Sequence, residues 1–183
     1  GHIPRAIFIG LAGSFAPWVG ALIADVKQPI LLVTEIGLEE EAITRLSRVG
    51  FDKTIGYLKG GFDAWKKASK EYDTVTSITA NVLKELKEGA TAPVFDVRKE
   101  GEFLSEHVID AKHTPLDYLN NHLTAFPIQK PFYVHCAGGY RSMIAASILK
   151  SRGIHNLINI AGGFEAIKKS KIQVSDYVCP STL

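Results

Sequence analysis

The second half of the chain contains three short apolar runs of the kind found in buried strands. They are APVFDV (92–97), PFYVHC (131–136) and NLINIAGG (156–163), and each is rich in β-branched or aromatic residues. Continuous apolar runs of this length are typical of strands that are buried on both faces, as in parallel sheets.

Helical patterns lie between and after these runs. TSITANVLKELKEG (76–89) begins with Ser and Thr, places apolar residues at helical spacing and predicts a short helix that Gly89 ends. SMIAASILKSRG (142–153) has one apolar face and ends at a glycine that suits a left-handed C-cap, and FEAIKKS (164–170) predicts a closing helix. Strands that alternate with helices predict an α/β fold, with a mostly parallel sheet and helices on both faces.

The chain also contains an internal repeat. RVGFDKTIGYLKGGFDAWKKAS (48–69) returns as SRGIHNLINIAGGFEAIKKSK (151–171), and QPILLVT (28–34) returns as KPFYVHC (130–136). The opening GHIPRA corresponds to EHVIDA (106–111), whereas residues 77–105 have no counterpart. The repeat predicts two copies of one unit of about a hundred residues, the first without its N-terminal segment. We place the first unit at 1–70, a linker at 71–76 and the second unit at 77–183.

Composition excludes several classes of protein. The chain is 46% hydrophobic and 22% charged, its net charge is +2, and it has no apolar run long enough for a membrane helix. Scattered Lys and Arg predict neither a nucleic-acid nor a membrane partner. Two cysteines do not form a disulfide framework, so we expect a reducing, cytoplasmic location. The dispersed His and Cys residues show no metal-ligand spacing, and no cofactor is expected.

The segment YVHCAGGYRS (133–142) carries the most distinctive chemistry. Cys136 ends a predicted strand, and ligands of open α/β sheets bind at the carboxyl ends of strands. Gly138 and Gly139 allow loop amides to point inward, the following helix turns its positive end to the same place, and Arg141 adds a cation. These features favour a stabilised nucleophilic thiolate over the alternative, a buried structural cysteine.

The chain resembles the rhodanese family of sulfurtransferases. The resemblance rests on DVRKEGEFLSEHVIDA (96–111), YVHCAGGYRS and IAGGFEAI (160–167), and it covers residues 76–171. It implies that Cys136 takes sulfane sulfur from thiosulfate or a persulfide, holds it as a persulfide and passes it to a thiol or cyanide. The implied substrate-binding residues are Ala137, Gly138, Gly139, Tyr140, Arg141 and Ser142, with Arg141 steering anionic donors.

Cysteine phosphatases are the nearest alternative among enzymes. Their loop has five residues between Cys and Arg, whereas four separate Cys136 from Arg141 here, and Ser142 stands at the phosphatase arginine position. The shorter loop favours a sulfur atom over a phosphate group. A carrier or sensor that loads sulfur without turnover is a further alternative.

Other polar residues of the second unit are interpreted as structural. Asp96, Arg98 and Glu102 are interpreted as an ion-pair network that ties the strand end to the next loop, with lining of the pocket as the alternative. His107 is expected to pack in the same loop. His135 should point to the face opposite Cys136, and a nest-stabilised thiolate needs no base. Cys179 is interpreted as an incidental thiol, with a role as acceptor thiol as the alternative.

The first unit has the same framework without the chemistry. Thr34 stands at the Cys136 position, and Glu35 and Glu39–Glu41 would repel anions. The first unit therefore resembles an inactive rhodanese domain, suited to docking or scaffolding. An inactive unit followed by an active one resembles the C-terminal part of fusion proteins that begin with a metallo-β-lactamase-like persulfide dioxygenase domain, and a plain tandem rhodanese is the alternative.

Overall fold

The computed structural model describes residues 1–87 and 92–179 and divides the chain into two compact units, Gly1–Thr74 and Val75–Leu183. The division falls inside the segment 71–76. Within the described residues, no helix combines the length and apolar character needed to cross a membrane.

The second unit is built on a five-stranded sheet. Its strands are β3 (Ser77–Ile78), β4 (Val94–Asp96), β5 (Lys112–His113), β6 (Phe132–His135) and β7 (Leu157–Ile160). Their order is β3-β7-β6-β4-β5, and every neighbouring pair is parallel. The parallel sheet and its helices confirm the predicted α/β class.

Around this sheet, the described residues form four α-helices and two short 3₁₀ helices. The α-helices are α4 (Ala80–Lys87), α5 (Glu100–Ser105), α6 (Tyr140–Ser151) and α7 (Gly163–Lys169), and the 3₁₀ helices are Leu116–Asn121 and Leu123–Ala125. Residues of α4 and α7 form one cluster with Tyr133 and Ile160, and α6 packs on β6 and β7. All four residues of β6 are buried, so both faces of the central strand are covered.

The first unit has two strands. Its elements are α1 (Phe15–Leu22), β1 (Ile30–Leu32), α2 (Glu39–Ser47), β2 (Thr54–Tyr57) and α3 (Gly61–Lys67), with β1 parallel to β2. Ile30 and Leu32 pack with side chains from α1 and α2. Leu31, between them, is 71% exposed, whereas its repeat counterpart Tyr133 is 6% exposed. One face of this small sheet is therefore uncovered in the first unit.

A one-residue difference between the repeats appears as a β-bulge. The segment from Gly50 to Gly60 is one residue longer than the segment from Gly153 to Gly162. In the first unit Ile30 pairs with Thr54 but Leu31 pairs with Gly56, so one residue of β2 lies outside the ladder. The second unit pairs regularly at this place. A bulge absorbs the extra residue while both strand ends stay in register.

The helix predicted over 76–89 begins later than expected. Ser77 and Ile78 form the edge strand β3 on β7, and Thr79 caps the helix by accepting the Val82 amide at 3.3 Å. The expected stop at Gly89 lies outside the described residues. Helix α6 begins at Tyr140, two residues before the predicted start, so Tyr140–Ser142 forms its first turn.

The start of α7 packs closely on the loop after β6. Gly163 has φ of +56°, and a Cβ there would lie 2.4 Å from the Cys136 carbonyl oxygen and 2.5 Å from that of Ala137. Gly61 has φ of +59° in the first unit, and a Cβ on it would lie 2.3 Å from the Thr34 carbonyl oxygen. Only glycine fits this position in either repeat.

Gly163→Ala should destabilise the second unit by at least about 2 kcal/mol, because it adds both backbone strain and a clash with carbonyl oxygens. Chemical denaturation measures the loss. Gly101→Ala, in open space within α5, is the matched control and should be neutral or stabilising by up to about 1 kcal/mol. Equal effects of the two substitutions would contradict the packing argument.

Candidate functional site

Cys136 lies at the carboxyl end of β6, next to the start of α6. Its side chain is 1% exposed and takes part in no disulfide. The Gly139 amide donates to the Cys136 sulfur at 3.1 Å, with the glycine at φ of +113°. The loop thus turns a backbone amide onto the sulfur, as the glycine pattern predicts.

The two loop glycines differ in their roles. Gly139 adopts the left-handed region that favours glycine and is the N-cap of α6. Gly138 has no such conformation and no neighbour within 4 Å of an added Cβ. The special backbone geometry therefore depends on Gly139 alone.

The Ser142 side chain also faces the sulfur. The Cys136 thiol lies 3.6 Å from Ser142 Oγ, and the Ser142 hydroxyl donates to the Gly139 carbonyl at 3.0 Å. A hydroxyl rotates to suit its partner, so Ser142 can donate to the sulfur once the thiol loses its proton. Ser142 was expected among the substrate-binding residues, but nothing in the sequence pattern predicted this side-chain contact.

The N-terminal turn of α7 fixes the loop from the other side. The Phe164 amide donates to the Cys136 carbonyl at 2.7 Å, and the Glu165 amide donates to the Ala137 carbonyl at 3.1 Å. These amides have no partner inside their own helix, so the loop carbonyls satisfy them. The repeated Gly-Gly-Phe sequence was the available signal for this contact.

Arg141 forms a two-pronged ion pair with Glu102 of α5. Nη1 donates to Oε2 at 2.5 Å, and Nη2 donates to Oε1 at 2.8 Å. The pairing holds the pKa of Glu102 below its ordinary value and raises the pKa of Arg141. In this structure the charge of Arg141 is compensated by a carboxylate.

Asp96 and Arg98 form a separate, buried pair. Arg98 Nη2 donates to Asp96 Oδ2 at 2.6 Å and to the Glu106 carbonyl at 2.7 Å, so the pair ties the end of β4 to the loop after α5. The guanidinium also lies 3.9 Å from the centre of the Phe164 ring. Glu102 was expected in this network and pairs with Arg141 instead, because α5 carries its carboxylate to the start of α6.

His135 lies inside the unit behind the cysteine. Its Nδ1 is 3.2 Å from the Cys136 carbonyl oxygen, and its Nε2 is 3.8 Å from Asp96 Oδ2. Burial lowers the pKa of His135, and the Asp96 carboxylate only partly opposes this. The side chain therefore contacts the backbone of Cys136.

His107 lies in the loop after α5, to which the Asp96–Arg98 pair ties the end of β4. Its ring stacks on Phe103 with centroids 4.1 Å apart, and Nδ1 lies 2.8 Å from the Phe103 carbonyl oxygen. The Ser175 hydroxyl accepts the His107 amide at 3.0 Å, which docks the C-terminal segment on this loop. These contacts are those of a structural residue.

Cys179 lies on that same C-terminal segment. The preceding Val178 forms two hydrogen bonds with Ser105. The Val178 amide donates to the Ser105 carbonyl at 2.8 Å, and the Ser105 hydroxyl donates to the Val178 carbonyl at 2.6 Å. Cys179 is exposed and takes part in no disulfide. Across the described parts of the chain, His, Cys, Asp and Glu form no group of three or more placed to hold a metal ion.

The first unit contains a counterpart of the cysteine loop, in which a carboxylate takes the place of the sulfur. Gly37, the counterpart of Gly139, also has a positive φ, of +91°. Its amide donates to the Glu39 carboxylate at 2.8 Å, and Glu39 is the counterpart of Arg141. A carboxylate of the chain itself thus takes the amide that faces sulfur in the second unit.

Comparison with known families matches the rhodanese-like domain model to residues 1–68 and 79–170. The chain belongs to the rhodanese-like domain family. One matched segment lies in each of the two units, so both carry rhodanese-like sequence.

Several relatives match part of the chain. YqhL of Bacillus subtilis, an uncharacterized protein, is 34% identical over 74 residues, which are 40% of this chain and 59% of YqhL. The thiosulfate sulfurtransferase GlpE of Coxiella burnetii is 29% identical over 75 residues, which are 41% of this chain and 70% of GlpE. A crystal structure of a rhodanese-like domain protein from Staphylococcus aureus, 29% identical, matches 56% of this chain and 100% of its own with a TM-score of 0.51.

The buried His135 should make stability depend on pH. The unfolded chain binds a proton on this residue below about pH 6.5, whereas the folded protein does so only at lower pH. The contribution of His135 to the free energy of unfolding is therefore fully present above about pH 6.5 and is lost as the pH falls toward the lowered pKa of the folded state. We expect the free energy of unfolding of His135→Gln to fall less than that of the wild type between pH 7 and pH 5.

Denaturant titrations at several pH values provide this measurement. His155→Gln, at an exposed position, is the control for the loss of an imidazole as such. A His135→Gln profile parallel to that of the wild type would show that His135 is not the residue that titrates.

Proposed function

We propose that the chain is a sulfurtransferase that moves sulfane sulfur from thiosulfate or a persulfide to a thiol or cyanide through a persulfide on Cys136. The observation that carries the proposal is the Gly139 amide at 3.1 Å from the Cys136 sulfur, with the Ser142 hydroxyl on another side. An amide hydrogen that points at a sulfur stabilises the anionic form of that sulfur, and the Ser142 hydroxyl can add a second donor once the thiol has lost its proton. Membership in the rhodanese-like family supports the same class of reaction.

The first half-reaction loads the cysteine. The Cys136 thiolate attacks the outer sulfur of the donor, a new S–S bond forms, and the donor's own S–S bond breaks. With thiosulfate, sulfite leaves with the bonding electron pair. The loop amides of Ala137–Ser142 and the first turn of α6 are the groups we expect to hold the charge of the new persulfide.

The second half-reaction regenerates the enzyme. The acceptor thiolate attacks the outer sulfur of the persulfide, and Cys136 leaves as a thiolate. The acceptor carries away the sulfur as a persulfide, or as thiocyanate when the acceptor is cyanide. Sulfur only changes carrier over the cycle, so no oxidant or cofactor is needed.

The loop argues against phosphate-ester hydrolysis. Four residues separate Cys136 from Arg141, and Arg141 is already bound to Glu102 through both terminal nitrogens. A phosphatase needs its arginine for the phosphate oxygens. The site therefore suits a sulfur atom better than a tetrahedral phosphate.

We further propose that the first unit is inactive and serves docking or scaffolding. Thr34 replaces the nucleophile, and Glu39 takes the Gly37 amide. Such a pair of units fits a larger sulfur-oxidising protein with an upstream metallo-β-lactamase-like domain, located in the cytoplasm. Small sulfur compounds and thiols are then the expected partners.

A second candidate function is a carrier or sensor that loads sulfur once. The 1% exposure of Cys136 favours this alternative, because a buried persulfide is shielded from acceptors. Turnover with excess acceptor separates the candidates, since a transferase releases many equivalents of product and a carrier releases one.

Cys136→Ser should abolish sulfur loading and reduce transfer to cyanide more than about 100-fold, because a serine without a base is a poor nucleophile. Intact-mass spectrometry after incubation with thiosulfate or a small persulfide should show one added sulfur atom on the wild type and none on the variant. Cys179→Ser is the matched control and should load like the wild type. Equal loading of Cys136→Ser and the wild type would refute the proposal.

A further inference from the structure

Glu102 holds Arg141 in a fixed position beside the cysteine loop. Its carboxylate is anchored in its own helix, because Oε2 also accepts the Lys99 amide at 3.1 Å. The Arg141 side chain is 16% exposed and that of Glu102 is 36% exposed, so the pair lies at the edge of the site. Arg141 itself belongs to the first turn of α6, two residues after Gly139.

The pair changes what an anionic donor experiences. An unpaired guanidinium at this place attracts every anion, and more strongly the more charge the anion carries. A guanidinium bound to a carboxylate through two hydrogen bonds presents almost no net charge. Arg98, the other arginine of this sheet edge, is likewise paired, with the buried Asp96. A donor that approaches Cys136 therefore meets amide dipoles and a compensated cation.

We propose that Glu102 is a specificity-determining residue that discriminates sulfur donors by their charge. This inference rests on the proposed sulfur transfer at Cys136. Coulomb energy is proportional to the charge of the donor, so the Glu102 carboxylate opposes a dianion twice as strongly as a monoanion of the same shape. The carboxylate thus lowers the preference of the site for thiosulfate relative to singly charged donors.

Two donors test this inference with little change in shape. Thiosulfate carries two negative charges, and methanethiosulfonate replaces one of its charged oxygens with a methyl group and carries one. Both present a terminal sulfur to Cys136 and release sulfite or methanesulfinate as the leaving group. The ratio of their kcat/KM values isolates the effect of donor charge, because both share the same acceptor step with cyanide.

Glu102→Gln should raise kcat/KM for both donors, mainly through KM, and should favour thiosulfate. Since the energy scales with charge, a threefold gain for methanethiosulfonate corresponds to about a ninefold gain for thiosulfate at low salt. The difference should vanish near 1 M salt, where the screening length is about 3 Å. Glu102→Asp keeps the charge and should restore the wild-type ratio.

Glu100→Gln is the matched control. It removes the same charge from the exposed first turn of α5, whereas the carboxylate that pairs with Arg141 is that of Glu102. It should leave the donor ratio within about twofold of the wild type. A purely structural role of Glu102 predicts equal losses for both donors, insensitive to salt.

The outcomes separate this inference from the proposed function. If neither these donors nor a small persulfide loads Cys136 in the wild type, the proposed sulfurtransferase is wrong. If only the persulfide loads it, the proposed discrimination between these two donors is wrong. If the wild type turns over but Glu102→Gln changes both donors equally, or no more than Glu100→Gln does, charge discrimination by Glu102 is wrong. If Glu102→Gln does not fold, the salt dependence of kcat/KM is measured in the wild type and in Glu102→Asp. The inference predicts a similar salt dependence for the two donors. It is overturned if kcat/KM for thiosulfate falls much more steeply with salt than kcat/KM for methanethiosulfonate.

Discussion

The contact between the start of α7 and the cysteine loop is the constraint on which the site depends. The Phe164 and Glu165 amides hold the carbonyls of Cys136 and Ala137 toward α7. Because a trans peptide directs its N–H opposite to its carbonyl, the Ala137 and Gly138 amides must point away from α7. Gly163 permits this approach, since a Cβ would overlap both carbonyl oxygens. The loop amides are thus oriented by backbone packing, independently of the chemistry of the cysteine.

The first unit shows this independence directly. Gly61 contacts the Thr34 carbonyl as Gly163 contacts that of Cys136, and Gly37 repeats the left-handed conformation of Gly139. The framework is therefore retained where the nucleophile is absent. The Gly37 amide, whose counterpart faces sulfur, binds the Glu39 carboxylate instead. An amide in this position donates to an anion even when that anion is a side chain of the same chain.

Sequence patterns predicted the fold class, the central strands and the neighbourhood of Cys136, because these depend on local hydrophobic runs and on glycine spacing. They missed β3, since a two-residue edge strand has too few positions to show a period. They also gave no sign that Glu102 pairs with Arg141. Asp96 and Arg98 are two residues apart, whereas Glu102 and Arg141 meet only through the packing of α5 against the start of α6. Contacts between distant segments leave no local pattern.

Two arginine–carboxylate pairs of the second unit, Arg98–Asp96 and Arg141–Glu102, differ in what their surroundings allow. Arg98 and Asp96 are 5% and 0% exposed, and breaking a buried pair costs about 3–5 kcal/mol because one charge stays without a partner. That pair is therefore fixed and acts as a strut between β4 and the following loop. Arg141 and Glu102 lie closer to solvent, where water and donor anions compete with the carboxylate for the guanidinium. Burial thus makes the Arg98–Asp96 pair rigid. The Arg141–Glu102 pair, at the rim of the cysteine loop, can respond to the charge of an approaching sulfur donor.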